Sequence, residues 1–232
     1  MMKANKSNNI KHQKYGLLAI IALCFIMAGC ASKTAKEEDY SGFLSDYTKL
    51  VKGPGVGGGE VLSWISPVLA ERKYTKVMLD SVIIYPAPEP GPQLRREVLT
   101  SMLAYLNKEL REEVGKTYEI VTEPGKGVVR LRAAVTTIET TLEDLAVYEY
   151  IPIALALAGA SSAAGIRSQA VEIFVEAELT DSLSGERLAE AIRKGFGESV
   201  GGRREQVEVE NVRPVLDGWA KSLVKVLDVS IK

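Results

Sequence analysis

The chain has 232 residues, with 29 basic and 30 acidic side chains, one histidine and two cysteines. His12 and Cys24 fall in the first 29 residues, together with four lysines and no acid. If that stretch is removed on export, what remains carries a net charge of −5, no histidine and one cysteine, Cys30. A Ser-His-Asp triad, a Cys-His pair, a His-ligated zinc, a Cys₄ cluster and an internal disulfide are then excluded.

Met1–Gly29 reads as a secretory signal. Lys3, Lys6, Lys11 and Lys14 form a basic start, and Tyr15–Ala28 follows as an uncharged, mostly apolar run of 14 residues. A helix needs about 20 residues to cross a hydrocarbon core, so the run suits a signal core instead. It ends Met27-Ala28-Gly29-Cys30, which resembles a bacterial lipobox. The resemblance implies cleavage between Gly29 and Cys30, acylation of Cys30 and anchorage in a lipid bilayer. Neither Ala31 nor Ser32 is the Asp that marks inner-membrane retention, so the expected destination is the periplasmic face of the outer membrane. Residues 30–40 are expected to be the lipidated start and a polar tether, and residues 41–232 a single periplasmic domain.

Lys52–Glu60 contains Gly53-x-Gly55-x-x-Gly58, a literal dinucleotide-loop pattern. No clear strand precedes it and Pro54 interrupts it, so it reads as a flexible loop. Lys73–Tyr85 predicts a strand, ended by four prolines in residues 86–92. Leu94–Val114 predicts an amphipathic helix, because Leu94, Val98, Met102, Leu106, Leu110 and Val114 recur every four residues. Gly115 is the expected C′ residue. Tyr118–Thr122 predicts a short strand and Val128–Thr141 a long one. Gln169–Ser182 alternates, with Val171, Ile173, Val175, Ala177 and Leu179 on one face and Glu172, Phe174, Glu176 and Glu178 on the other. If the two long strands pair, Arg130 and Arg132 come near Glu176 and Glu178. Asp181–Glu186 predicts a hairpin turn with Gly185 at positive φ, and Arg187–Phe196 the returning strand. Asn211–Ile231 predicts a second helix, with Asn211 as N-cap and Pro214 in the first turn. The expected fold is α+β: a two-layer sandwich, a mostly antiparallel sheet of about five strands with two amphipathic helices on one face.

Few residues offer chemistry. Ser222-x-x-Lys225 matches an acyl-transfer pair by spacing, but its companion motifs are absent. Glu143-Asp144 and Asp181 with Glu186 are acidic pairs without EF-hand spacing. No catalytic, cofactor-binding or metal-ligating residue is therefore assigned. Basic residues are mixed with acidic ones, so nucleic acid is not an expected partner. Tyr150–Ile166 is uncharged over 17 residues. Three readings stay open for it: burial against its own sheet, a self-association or partner surface presenting Ile151, Ile153, Leu155 and Leu157, and shallow membrane contact.

Several phrases in order resemble the uncharacterised bacterial lipoprotein family catalogued as domain of unknown function 3313. They are Ser41-Gly42-Phe43-Leu44-x-Asp46-Tyr47, Lys73-Tyr74-x-Lys76-Val77 leading into Asp80-Ser81-Val82, Pro124-Gly125-x-Gly127-Val128-x-Arg130-Leu131-Arg132, and Asp181-Ser182-x-Ser184-Gly185-Glu186. The resemblance spans about residues 41–230 and implies no activity. The expected protein is a lipid-anchored cell-envelope lipoprotein with a non-enzymatic binding or assembly role. The alternatives are a carboxylate- or Lys-dependent cell-wall hydrolase, and a small-molecule or lipid carrier, which would need an apolar cavity between sheet and helices.

Overall fold

The structure is a computed structural model and describes residues 35–56, 58–87, 95–142, 169–201 and 205–231. They belong to the second of two units, Lys33–Lys232. The strands are β1 Val51–Pro54, β2 Glu60–Ile65, β3 Lys76–Leu79, β4 Ile83–Ile84, β5 Glu119–Val121, β6 Val128–Leu142, β7 Gln169–Asp181 and β8 Arg187–Phe196. The helices are α1 Pro67–Glu71, α2 Arg96–Gly115 and α3 Val209–Ile231.

The architecture is mixed α/β around one open sheet of eight strands, in the order β1-β2-β8-β7-β6-β3-β5, with β4 also paired to β6. This corrects the expected five-stranded, mostly antiparallel sheet with two helices. The strands β1, β2, β8, β7 and β6 are antiparallel neighbours, whereas β3 runs parallel to both β5 and β6, and β4 parallel to β6. Helix α2 is the reason. It carries the chain from β4 back along the sheet, so β5 starts at the same end as β3. The expected strand over Lys73–Tyr85 splits because α2 interrupts it. The Asn107 side chain accepts from the Val82 N–H at 2.8 Å and donates to the Val82 carbonyl at 3.3 Å.

Helices α2 and α3 lie on one face. Val98, Met102 and Leu106 of α2 meet Val212, Leu216 and Trp219 of α3 over Ala133, Val135, Val171 and Ile173. Tyrosines fasten this layer: Tyr105 Oη donates to Asp217 at 2.5 Å and Tyr118 Oη to Asp228 at 2.7 Å. The bond to Asp217 pushes the Tyr105 phenol up to about 12. Gly115 ends α2 as its last helical residue and has no positive φ, so it is not the expected C′. Helix α3 begins two residues before the expected Asn211. Asn211 acts from inside the first turn, its Oδ1 accepting from the Glu208 N–H at 2.8 Å, and Pro214 stands within the helix. Gly185 has φ +71°, as the hairpin requires.

Candidate functional site

A cavity of about 280 Å³ opens between the sheet and the two long helices. Its floor is one row across four strands: Ser63 of β2 opposite Ala191 of β8, which faces Ala177 of β7, which faces Ala133 of β6. Small side chains leave space there, and the taller Leu131, Val175 and Leu179 of the same face hold the helices off. Leu106 and Leu110 of α2 and Trp219, Leu223 and Val226 of α3 complete the walls. Gly195 sets the seat of Trp219, because a Cβ built there would stand 2.5 Å from the indole and 2.4 Å from Val215. The lining is mainly apolar, with Ser63, Glu178, Glu190 and Arg193 also at its margin. Ser222 contributes a hydroxyl, but it donates to the Gly218 carbonyl at 2.6 Å within its own helix.

Pro54, Gly55 and Val56 at the tip of the β1–β2 hairpin border the cavity with Arg193. The hairpin loop closes on itself, with Gly55 N–H donating to Gly59 O at 2.8 Å and Gly58 N–H to Gly55 O at 2.9 Å. Gly58 and Gly59 have φ of +100° and +76°, which side-chain-bearing residues rarely adopt. Arg193 Nη2 donates to the Gly58 carbonyl at 2.6 Å. No carboxylate among the described residues pairs with Arg193, and burial lowers its guanidinium below the ordinary arginine range.

The opposite face of the sheet is covered by residues 35–50. Ala35 and Leu44 pack with Leu62, Phe174 and Ile192, and Tyr40, Phe43, Tyr47 and Leu50 join them. Beneath lie four glutamates that alternation alone would send to water: Glu172, Glu176, Glu178 and Glu190, exposed by only 6%, 0%, 6% and 1%. Each has its own partner. Glu176 accepts the Ser41 N–H at 2.9 Å, the Leu44 N–H at 3.3 Å and the Tyr47 hydroxyl at 2.7 Å. Glu172 pairs with Lys194 at 2.6 Å and Glu178 with Arg132 at 2.5 Å. Arg187 bridges Glu190 at 2.9 Å and Asp46 at 3.1 Å. Thr48, donating side chain and backbone to Asp46, holds that carboxyl down at about 2, with Arg187 assisting. Burial pushes Glu190 up despite Arg187, and Glu178, directly opposite on β7, adds to the rise.

The expected Arg132–Glu178 pair forms, whereas Arg130 turns to Asp80, with Nη2 at 2.6 Å. Ser222 and Lys225 do not meet as a reactive pair: the serine is buried on its own helix and the lysine is exposed. Asp181 caps its turn, accepting the Ser184 N–H at 2.9 Å and the Tyr74 hydroxyl at 2.9 Å. Gly29, Cys30, Glu143, Asp144, Ile151, Ile153, Leu155 and Leu157 lie outside the described residues. Among the described residues, no cluster of three His, Cys, Asp or Glu side chains could hold a metal, and no helix is long and apolar enough to cross a membrane. The Gly53–Gly59 loop, read from its pattern as a flexible loop, borders the cavity through Pro54, Gly55 and Val56. Its signal lay in the pairing of flanking strands across it, which the glycines obscure.

Fold and site together define a mixed α/β domain with an apolar cavity under two helices and a latched N-terminal segment. The chain belongs to the family described as "Protein of unknown function (DUF3313)", which matches residues 39–223. It is 32% identical over 203 residues to "Uncharacterized lipoprotein YdcL" of Escherichia coli, in strain K12 and in O157:H7, covering 87% of this chain and 91% of the relative. Among solved structures it is similar to a PelC dodecamer from Paraburkholderia phytofirmans, at 15% identity and a TM-score of 0.34, covering 74% of this chain and 97% of that one. That likeness is too distant to bring PelC's assembly to this chain.

Proposed function

We propose that this chain is a lipid-anchored cell-envelope protein whose body binds an apolar small molecule between sheet and helices. The observation that carries the reading is the cavity of about 280 Å³, floored by Ser63, Ala191, Ala177 and Ala133. At about 30 Å³ for each water-sized group, it takes on the order of nine heavy atoms. Eight methylenes buried at about 0.8 kcal/mol each give roughly 6 kcal/mol before the loss of free motion is subtracted, so binding no tighter than about tens of micromolar is expected. The anchor is acylated Cys30, supported by the lipobox-like Met27–Cys30 and by the lipoprotein name of the 32% identical relative. The residues after Cys30 favour the outer membrane and its periplasmic face. Ala35 is already packed on the sheet. Five chain steps from Cys30 reach at most about 18 Å, which keeps the body close to the bilayer. With each described glutamate of the covered face tied to its own partner, binding is favoured over hydrolysis.

Two measurements test the reading. Labelled palmitate should enter the wild-type protein and not Cys30→Ser. For the cavity, Trp64→Phe leaves Trp219 as the only indole of the two in the chain. In full-length protein held in lipid nanodiscs, uncharged 10-bromodecanol should quench Trp219 saturably. Quenching that is linear and unchanged by Ala177→Leu, which fills the floor, would reject the cavity as a binding site.

A further inference from the structure

The cavity lining is mainly apolar; it includes Ser63, Ser222, Glu178 and Glu190, and one cation, Arg193. Arg193 stands at its border, half-buried, with the Gly58 carbonyl as its hydrogen-bond partner. The other half-buried arginines among the described residues each have a carboxylate: Asp80 for Arg130, Glu178 for Arg132, and Asp46 with Glu190 for Arg187. A guanidinium withdrawn from water without a counter-charge is unfavourable, and a planar carboxylate is the group its fork fits best. The loop around it is mostly glycine, with Pro54 and Val56 its side-chain-bearing members. A Cβ at Gly55 would stand 3.0 Å from the Gly58 carbonyl and 3.7 Å from Arg193 Nη2, and one at Gly59 3.9 Å from the same nitrogen. The loop thus approaches the cation by backbone alone and leaves its remaining donors uncrowded.

Resting on the cavity reading above, we propose that the ligand is a medium-chain alkyl carboxylate of about eight to ten carbons, its chain over the Ala177–Ala191 floor and its head group on Arg193. The apolar walls recognise the chain by length, and Arg193 recognises the charge. Nothing else in the lining offers a cation.

The test compares 10-bromodecanoate with 10-bromodecanol as quenchers of Trp219 in the full-length Trp64→Phe protein in nanodiscs at pH 7.5. The acid should bind at least about tenfold more tightly than the alcohol. Arg193→Gln should bring the affinity for the acid down to that for the alcohol, and Arg193→Lys should restore part of the preference. Each methylene taken from the acid should weaken binding about fourfold. Equal affinity for acid and alcohol, or an acid preference that survives Arg193→Gln, overturns the head-group assignment while the cavity stands. Loss of both ligands in Arg193→Gln with unaltered circular dichroism also overturns it, because Arg193 would then shape the cavity rather than bind charge. If neither ligand quenches the wild type, it is the cavity reading that fails.

Discussion

Glu176 is a residue whose position alternation gives correctly and whose environment it does not. It stands on the acidic face of β7, yet it is fully buried under the Ser41–Tyr47 segment, accepting two backbone N–H groups and a phenol. Removing it strands three donors, and each buried unpaired group costs about 1–3 kcal/mol. Glu176→Ala is therefore expected to destabilise by about 3 kcal/mol, read from the urea midpoint, and Tyr47→Phe by about 1 kcal/mol. Hydrogen exchange at the Ser41 and Leu44 amides should accelerate in both, and an unchanged rate in Glu176→Ala would refute the latch. On the helix side, Gly195→Ala pushes into Trp219 and Val215. Overpacking of this kind costs about 1–3 kcal/mol, and the Trp219 emission should shift with it. Asp46 and Glu190 share Arg187 but respond to acid in opposite senses. Asp46 titrates lower in the folded chain, at about 2, so its contribution is complete above about pH 5 and is lost as pH falls through 2. Glu190 titrates higher when folded, so the stability conferred by its protonation is present at low pH and lost as pH rises through the folded value. Glu190→Gln should consequently match or exceed the wild-type Tm at pH 8, with the difference shrinking towards pH 4. A lower Tm at pH 8 would mean that the Arg187 pair outweighs burial.

At the scale of elements, legibility followed locality. Strand β8 is legible only as the return of the Asp181–Glu186 hairpin, whereas helices α2 and α3 and strands β6 and β7 announce themselves because their apolar pattern repeats within one segment. The β1–β2 hairpin does not, since Gly53, Gly55, Gly58 and Gly59 carry no side chain for a pattern to act on. The packing of residues 35–50 on the sheet carries no such pattern, because Ser41, Asp46 and Thr48 spend their polarity on the sheet and on their own turn rather than on water. The parallel placement of β3 and β5 depends on where α2 returns the chain, which no window of sequence contains. A bulge at Thr136 also reverses the face of β6: Ala134 pairs with Glu176, but Thr137 pairs with Phe174. The cavity floor was hidden for the same reason. Ser63, Ala133, Ala177 and Ala191 are unremarkable along the chain and become a row only through the register of four strands.

For the whole molecule, the two faces of one sheet serve different ends. One is sealed by a segment that satisfies Glu176, over glutamates that the sheet's own Arg132, Arg187 and Lys194 pair, with Glu190 Oε2 left without a partner, and the other is left underfilled beneath its helices. A core that keeps such a space forgoes packing it could have, and unfilled volume in a protein interior is destabilising. The same substitution should therefore have opposite effects on the two faces. Ala177→Leu points into the cavity and adds three carbons where there is room, so it should raise stability by about 0.5–2 kcal/mol and abolish quenching of Trp219 by 10-bromodecanoate. Ala134→Leu points the other way, beside Glu176 under the latched segment, at a site already 0% exposed. It should lower stability by about 1–3 kcal/mol and leave quenching intact. Thermal melts of the two variants in parallel decide the matter. If Ala177→Leu loses stability as Ala134→Leu does, the helix side is already close-packed in solution and holds no ligand. If it gains stability and loses the ligand, the space is one the fold retains for binding at the expense of its own stability.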